Sequence, residues 1–294
     1  MVQTRTKGAF DGVFDKVAGE YDTEGVLFFK PVAERLVTHL GVEEGGQVLD
    51  VGCGRGAVTF PLAAAVGPKG LVFGIDVSVG MVEALGASVK AAGVRNIQVR
   101  LMDGQDPAFA PQDFDAITGS MSIVMLPDLA SAFRNYAHLL KPGGTLAFTA
   151  PDTRNQVGAW KSGPVDIGRI AAEIPEEVLR SHPMLARLVN GDLLDLSAVA
   201  GLLAEAGFVD VAEHREEVTV VADTPHGLVR WTQRHGMRAV WDAVPQDRRA
   251  VVEQALIAEA TAQADADGKV RFGFPVAYFV AHTPQAGAGG CPFA

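Results

Sequence analysis

Hydrophobic residues in the first part of the chain recur at helical spacing. Between residues 10 and 40 they fall three and four positions apart, in two groups separated around Thr23 and Gly25, which predicts two helices. From residue 47 to residue 150, short apolar runs alternate with longer amphipathic segments, as is typical of βαβ units with a helix-covered parallel sheet. The runs predict strands at 47–51, 71–75, 97–101, 114–119 and 145–149, and the amphipathic segments predict helices at 58–66, 79–92 and 129–140.

The pattern changes again after Pro151. Residues 152–206 carry scattered proline and glycine and two or three helical stretches, such as 175–189 and 195–206, with no run that indicates a strand. Strands return at 209–221 and 270–282, and the residues between them are predicted to be helical with breaks at Gly236 and Pro245. The pattern therefore predicts an α/β fold with seven strands. Five parts are expected: an N-terminal helical cap (1–40), a core (41–152), a helical insert or lid (153–206), a C-terminal part of the core with a helical insertion (207–283) and a flexible tail (284–294).

Composition and charge narrow the class of protein. The 294 residues are 48% hydrophobic and 20% charged, which is the ordinary profile of a globular protein. The formal net charge of −10 argues against a nucleic-acid-binding role, because phosphate binding needs clustered lysine and arginine. The two cysteines, Cys53 and Cys291, form no disulfide framework and no metal-ligand cluster, so no metal site is predicted.

The N-terminal stretch 1–7 is polar and lacks the apolar core of a secretory signal. No run in the sequence approaches the length of about 18 apolar residues that would span a bilayer. These observations predict a cytoplasmic protein without membrane insertion. The sequence leaves the oligomeric state open, a homodimer included.

A glycine-rich turn follows the first predicted strand of the core. Glycine stands at positions 52, 54 and 56, where it lets the chain turn tightly and lets a ligand approach the backbone. The helix that follows is expected to offer N–H groups to an anion. With Ala57 in the third place, the turn also satisfies the dinucleotide-binding fingerprint. The turn therefore predicts a nucleotide-type cofactor without choosing one.

Asp50, two residues before Gly52, favours one cofactor over the other. A pyrophosphate would gain nothing from a carboxylate at that place. S-adenosylmethionine (SAM) carries an ammonium and a sulfonium group, and a nearby acid stabilises both positive charges. The alternative is that Asp50 only caps the turn.

Two further acids end the next two strands. Asp76 lies about twenty residues past the turn, where a carboxylate can accept both hydroxyl groups of a ribose. NAD enzymes share this feature, and the alternative is an aspartate that caps the following helix. Asp103, with Gly104, ends the third strand, although Asp-Gly is also a common turn sequence.

Together these motifs resemble the class I SAM-dependent methyltransferases, and within them the broad group related to the ubiquinone and menaquinone biosynthesis methyltransferases. The turn from Asp50 to Gly56, the acids Asp76 and Asp103, and Leu-Lys-Pro-Gly-Gly ending at Gly144 occur in that family's order and spacing. An N-terminal motif of the group is also matched, by Phe14, Asp15, Ala18, Tyr21 and Asp22. The resemblance covers residues 10–150, about half of the chain.

The resemblance implies a Rossmann-like, mostly parallel seven-stranded sheet with helices on both faces, and a SAM-binding core at 41–152. It implies that Gly52, Cys53 and Gly54 line the methionine part of SAM, near Asp50. Asp76 with Val77 would hold the ribose, and Met81 would flank the adenine. Asp103 with Gly104 would bind the edge of the adenine, and Ser120 would face the sulfonium. Tyr21 would close over the cofactor.

The acceptor side is less defined. Many relatives place a histidine just before the Leu-Pro-Asp that starts here at Leu126, whereas this chain has Val124 and Met125, so no base can be carried over. The chain also lacks the Asn- or Asp-Pro-Pro-Tyr motif that grips nucleobase and glutamine amino groups. Within the predicted helix 228–244, three residues at positions i, i+4 and i+7 are expected to share one face. They are Trp231, His235 and Arg238.

That face is interpreted either as a substrate pocket or as a solvated basic helix with Trp231 packed on the core, and the second interpretation is favoured. Tyr21, His235 and Arg238 are the candidate catalytic residues, and no catalytic role is assigned. Trp160 and Met184 are weaker candidates for lining a hydrophobic substrate cavity. His182 would reach the site if the insert is a lid, and the favoured alternative is a surface histidine.

The expected function is in-line methyl transfer from SAM to a small, partly hydrophobic metabolite. O-methylation is the first hypothesis, with C- and N-methylation open. Two alternatives remain: a SAM-binding protein of this fold with a non-methylating role, and an NAD(P)-dependent oxidoreductase, against which Asp50 and the strand ending in Asp103 count.

Overall fold

A computed structural model describes residues 12–154, 161–190 and 195–286. Trp160, the side chain of Met184 and the tail beyond residue 286 lie outside this part, so the expectations for them stay predictions. The chain divides into two compact units, each made of three segments. The first unit contains Met1–Pro31, Pro151–Asp195 and Glu216–Val276, and the second contains Val32–Ala150, Leu196–Arg215 and Ala277–Ala294.

The strands follow the predicted order with additions. They are β1 Val26–Leu27, β2 Gln47–Val51, β3 Leu71–Asp76, β4 Ile97–Leu101, β5 Phe114–Ser120, β6 Leu140–Pro151, β7 Lys161–Ser162, β8 Val165–Asp166, β9 Val209–Ala222 and β10 Val270–His282. The helices are α1 Val13–Val17, α2 Phe29–Leu40, α3 Thr59–Val66, α4 Val79–Ala92, α5 Leu129–Leu139, α6 Ile167–Ala171, α7 Glu176–Ser181, α8 Pro183–Asn190, α9 Val199–Glu205, α10 Pro225–Thr232, α11 Arg238–Ala243 and α12 Gln246–Thr261.

The described sheet has eight strands, so the prediction of seven was wrong. Their order is β1-β9-β10-β6-β5-β2-β3-β4. The extra strand is β1, whose Val26 and Leu27 pair antiparallel with β9. A strand of two residues has no periodicity of its own, so the sequence pattern assigns Val26 and Leu27 to the predicted helical region 10–40. The fold is a mixed α/β, Rossmann-like arrangement.

The five strands β2 to β6 form the parallel part of the sheet and position the candidate site. Each of the four pairs β2–β3, β3–β4, β2–β5 and β5–β6 is parallel. Parallel strands end at the same edge, so the residues that follow β2, β3, β4 and β5 collect there. The register matches Val51 to Ile75 and Asp76 to Leu101. Helices α3 to α5 lie where the amphipathic pattern predicted them.

The segment 152–206 contains a small hairpin in addition to helices. Strands β7 and β8 pair antiparallel, although the sequence indicated no strand there. Pairs of two residues are too short to produce an alternating pattern. The helical stretch predicted at 175–189 is divided into α7 and α8 around His182 and Pro183.

The shared helical face expected within residues 228–244 is not found. Helix α10 ends at Thr232 and α11 begins at Arg238, so the predicted break at Gly236 is confirmed and the shared helical face is not. Side-chain hydrogen bonds stabilise the break, because the Thr232 hydroxyl donates to the Val229 carbonyl at 2.6 Å and accepts from Trp241 Nε1 at 2.9 Å. In the described residues, none of the helices is both long enough and apolar enough to cross a membrane.

Candidate active site

The glycine turn after β2 is built by hydrogen bonds to the end of β3. The N–H groups of Gly52 and Cys53 both donate to the Ile75 carbonyl, at 2.8 and 2.9 Å. Gly52 has φ of 67°, and a Cβ there would lie 2.5 Å from the Cβ of Ser122. Packing alone therefore requires glycine at position 52.

Gly54 differs from Gly52 in its surroundings. Its φ is 50°, but a Cβ built there would meet no atom within 4 Å. The turn therefore presents an open backbone face at Gly54, which leaves room for a ligand to approach. The N–H groups of Gly52, Cys53, Gly54 and Gly56 all donate within the protein, so an anion at these positions would have to share a donor that is already engaged.

Asp76, at the end of β3, holds the turn and the next helix together. One carboxylate oxygen accepts from Gly54 N and the other from Ser78 N, both at 2.9 Å. A carboxylate oxygen can accept more than one hydrogen bond, so these two bonds do not by themselves prevent Asp76 from accepting hydroxyl groups. Val77 beside it is exposed, whereas the Met81 side chain is buried.

Asp50 is a buried acid near the end of β2. Only 1% of its surface is exposed, and one carboxylate oxygen accepts a hydrogen bond of 2.6 Å from the Thr59 hydroxyl. Desolvation raises the pKa of Asp50 to about 7, against the opposing effect of the Thr59 hydrogen bond and with a further rise from the charge of Asp76. A cation placed near Asp50 would stabilise its charged form.

Cys53 is buried within the turn, where a Cβ on Gly74 would lie 3.1 Å from its sulfur. Burial, followed by the negative charges of Asp50 and Asp76, raises the pKa of the Cys53 thiol. The group therefore stays a neutral thiol near neutral pH, and its reactivity is low.

The ends of β4 and β5 complete this edge of the sheet. An Asp103 carboxylate oxygen accepts from Gln105 N at 2.9 Å, and the Gly104 carbonyl accepts from the Tyr136 hydroxyl at 2.6 Å. The Ser120 hydroxyl lies 3.3 Å from that of Thr149. Apart from Tyr21, the cofactor-side residues predicted from the sequence thus belong to the second unit and lie at or after the ends of neighbouring parallel strands.

Sequence reasoning missed Ser122. Its hydroxyl donates to the Val51 carbonyl at 2.5 Å, and its side chain fills the space beside Gly52. It therefore ties the segment after β5 to the end of β2. No motif or spacing in the sequence points to Ser122, because only the three-dimensional pairing of β2 with β5 brings it to the turn.

The candidate catalytic residues belong to the first unit. The Tyr21 ring packs against Phe29 at a centroid distance of 5.2 Å. His235 is buried, and its ring lies 4.2 Å from that of Trp231 and 6.1 Å from that of Phe29. The structure therefore brings Tyr21 and His235 into one aromatic cluster, although not through a shared helical face.

Arg238, the third candidate, is already paired. Its Nε donates to an Asp242 carboxylate oxygen at 2.7 Å, and Lys16 forms an ion pair with the same carboxylate at 3.1 Å. The Arg238 guanidinium is thus engaged inside the first unit, which weakens its candidacy as a catalytic residue.

Comparison with known proteins decides the family. Residues 48–144 match the model of a methyltransferase domain. Over 277 residues the chain is 43% identical to nocamycin O-methyltransferase of Saccharothrix syringae, a match that spans 94% of this chain and 99% of that protein. The chain belongs to the class I SAM-dependent methyltransferases. Its cofactor is SAM, as the sequence predicted.

Two further similarities agree with this assignment. The methyltransferase is 44% identical over 138 residues to aklanonic acid methyltransferase DauC of a Streptomyces species, covering 47% of this chain and 63% of that one. The solved structure of phosphoethanolamine N-methyltransferase 2 from Haemonchus contortus, bound to SAM, matches with a TM-score of 0.59 at 17% identity, over 95% of this chain and 61% of that one. The structural match at this identity shows the fold alone.

The second unit of the methyltransferase fits SAM in its charges and its space. Two acids, Asp50 and Asp76, lie beside a turn whose backbone is open at Gly54. The ammonium and sulfonium groups of SAM are positive charges that such acids stabilise. No group of three or more potential metal ligands occurs among the described residues.

Replacing Gly54 with alanine tests this fit. The added methyl group meets no protein atom, so the free energy of unfolding should fall by only about 1–2 kcal/mol, the cost of a positive φ for a non-glycine residue. The affinity for S-adenosylhomocysteine, measured by calorimetric titration, should fall about 10-fold or more because the methyl group occupies the open face.

Gly93→Ala is the matched control. Gly93 has φ of 66° at the end of α4, and its Cβ would also meet nothing within 4 Å. This variant should lose similar stability and keep wild-type affinity. Equal affinities of the two variants would contradict the placement of the cofactor at Gly54.

Proposed function

We propose that this methyltransferase transfers the methyl group of SAM to an oxygen atom of a small, partly hydrophobic metabolite. The observation that carries the proposal is the 43% identity to an O-methyltransferase across 94% of the chain. A second relative is named for an acid, aklanonic acid. A sulfonium methyl group is an activated electrophile, so the chain's own residues have to orient the acceptor and exclude water.

The cofactor-binding residues are assigned within this proposal. Asp50 would face the positive charges of SAM, Asp76 would accept from the ribose hydroxyls, and Gly54 would lie against the methionine part. The hydrogen bonds at Gly54 N and Ser78 N support the role of Asp76, because they fix the carboxylate at the end of β3. The other contacts remain predictions from the family resemblance; they involve Gly52, Cys53, Val77, Met81, Asp103, Gly104, Ser120 and Tyr21.

His235, a candidate catalytic residue, bears on the choice of acceptor oxygen within this proposal. Burial lowers the pKa of His235 to about 3, so its imidazole is a poor general base at neutral pH. An oxygen that is already anionic, such as a carboxylate or an acidic enol, has no proton to lose. We therefore propose an acidic oxygen as the methyl acceptor.

Isotope labelling tests both parts of the proposal. The enzyme is incubated with SAM labelled with ¹³C in the methyl group and with aklanonic acid, 2-naphthoic acid, 2-naphthol or 2-naphthylmethylamine. The chemical shift of the labelled carbon distinguishes O–CH₃, N–CH₃ and C–CH₃ products. We expect O–CH₃ from the acids, and Asp76→Ala should abolish it.

Methylation of nitrogen or carbon alone would contradict O-methylation. Binding of S-adenosylhomocysteine without any methylated product would instead favour the alternative, a non-methylating role for this SAM-binding fold. Membership of the methyltransferase family leaves no support for the NAD(P)-dependent oxidoreductase.

A further inference from the structure

In the described part of the first unit, two adjacent buried N–H groups lack an acceptor. Trp231 is 3% exposed and His235 is 9% exposed, and their ring centroids are 4.2 Å apart. Among the residues that the structure describes, neither Trp231 Nε1 nor His235 Nε2 has a hydrogen-bond partner. Because a buried polar group normally has a partner, two adjacent exceptions require an explanation.

The hydrogen bond on the other side of the imidazole shows that His235 Nε2 is a donor. His235 Nδ1 accepts from the Met237 backbone N–H at 3.3 Å. An accepting nitrogen carries a lone pair, so the single proton of the neutral ring is on Nε2. Burial lowers the pKa of His235 to about 3, which keeps the ring neutral at physiological pH. Trp231 Nε1 is always a donor.

A second tryptophan nearby, Trp241, has a hydrogen-bond acceptor for its indole N–H and serves as a comparison. Trp241 is also 3% exposed, and its Nε1 donates to the Thr232 hydroxyl at 2.9 Å. That hydroxyl donates onward to the Val229 carbonyl. The indole N–H of Trp241 therefore has its hydrogen-bond partner within the protein. Trp231, which lies one residue before Thr232, has no equivalent acceptor in the described part of the chain.

Aromatic rings surround the two donors. Phe28 lies 5.4 Å from Trp231, and Phe29 lies 5.8 Å from Trp231 and 6.1 Å from His235. The nearby charge of Arg234 is already paired with Glu20 and Glu24. The surroundings therefore favour a flat, apolar molecule, and the two donors favour an oxygen that accepts hydrogen bonds.

We propose that Trp231 Nε1–H and His235 Nε2–H together bind an oxygen atom of a flat, conjugated methyl acceptor. The oxygen is a carboxylate, carbonyl or enolate oxygen, since each of these accepts two hydrogen bonds. The identification of this molecule as the methyl acceptor rests on the proposed function. His235 then acts as a binding residue that orients the acceptor, and not as a general base.

A binding experiment that needs no methyl transfer tests the proposal. The full chain, with ¹⁵N-labelled tryptophan and saturating S-adenosylhomocysteine, is titrated with 2-naphthoate. We expect a downfield shift of the Trp231 indole proton, assigned by its loss in Trp231→Phe, because hydrogen bonding deshields that proton. 2-Naphthylmethylamine, which offers a cation and no acceptor oxygen, should produce no such shift.

Variants separate the two donors from the packing around them. Trp231→Phe and His235→Leu should each weaken 2-naphthoate binding about 10-fold or more, because each removes a hydrogen bond to a charged oxygen. His235→Gln, whose amide can place an N–H near the former Nε2, should recover most of the affinity. The affinity for S-adenosylhomocysteine should stay at the wild-type value in all three variants.

Trp241→Phe serves as the structural control. It loses a hydrogen bond that exists in the free protein, so it should melt at a lower temperature than Trp231→Phe and bind 2-naphthoate normally. An unchanged Trp231 indole signal up to the solubility limit of 2-naphthoate would overturn the proposal, as would equal binding to His235→Leu. Failure of the proposed function would appear separately, as missing O–CH₃ product despite 2-naphthoate binding.

Discussion

Replacing Asp76 with alanine should reduce the affinity for S-adenosylhomocysteine by about 100-fold or more. The variant loses the two hydrogen bonds that fix Gly54 and Ser78, and with them the proposed acceptor of the ribose hydroxyls. A hydrogen bond to a charged group contributes about 1.5–3 kcal/mol. The loss of the two proposed hydrogen bonds from the ribose hydroxyls therefore accounts for a change of this size. Calorimetric titration measures the affinity, and circular dichroism checks that the variant is folded.

Asp106→Ala is the control for charge. Asp106 is an exposed acid three residues after Asp103, and its removal changes the net charge by the same amount. This control should bind S-adenosylhomocysteine like the wild type. If a folded Asp76→Ala variant also keeps wild-type affinity, then Asp76 does not hold the cofactor.

Replacing Asp50 with asparagine should stabilise the cofactor-free protein above pH 7. The folded-state pKa is raised from 3.8 to about 7, so the folded protein retains a proton that the unfolded chain releases. The stability that this proton contributes is present below about pH 4 and is lost as the pH rises towards 7, which amounts to about 4 kcal/mol. The asparagine side chain carries no charge and can still accept the hydrogen bond from Thr59.

Urea unfolding at several pH values measures this effect. The difference in unfolding free energy between Asp50→Asn and the wild type should grow between pH 4 and pH 7 and then level off. A constant difference across this range would show that the pKa of Asp50 is not raised in the folded protein.

The same substitution should change the pH dependence of cofactor binding. In the wild type, the affinity for S-adenosylhomocysteine should rise by up to about 10-fold per pH unit as the pH approaches 7, because its ammonium group favours ionised Asp50. In Asp50→Asn, the affinity should be lower and flat over this range. A parallel pH profile in both proteins would remove Asp50 from the cofactor site.

The sequence predicted the parts of this protein that depend on local pattern. Strands β2 and β4 have the predicted bounds, and the turn at Gly52 and the acids at strand ends could be located because parallel strands place their carboxyl ends at one edge. The sequence did not reveal that Thr59 is the hydrogen-bond partner of Asp50. That pairing depends on how α3 packs on β2, which no spacing encodes.

Features that depend on distant pairing could not be predicted. Strand β1 forms only through the antiparallel pairing of Val26 and Leu27 with β9, which is distant in the sequence. The helical spacing of Trp231 and His235 suggested a shared face, but the helix ends at Thr232, where a side-chain hydrogen bond to the Val229 carbonyl closes the last turn. The two rings are neighbours nonetheless, because backbone hydrogen bonds from Gln233 to Arg230 and from Arg234 to Trp231 keep the chain coiled beyond the helix end.

The first unit is made of three separated segments of the chain, so the ribosome synthesises its parts at different times. The Lys16–Asp242 ion pair joins residues 226 positions apart, whereas the residues matched by the methyltransferase model, 48–144, are contiguous. At a translation rate of about 5–20 residues per second, roughly 10–45 s pass between the synthesis of Lys16 and that of Asp242. We therefore expect the nascent chain to form its cofactor-binding segment while Phe28 and Phe29 are still exposed to chaperones and to other nascent chains.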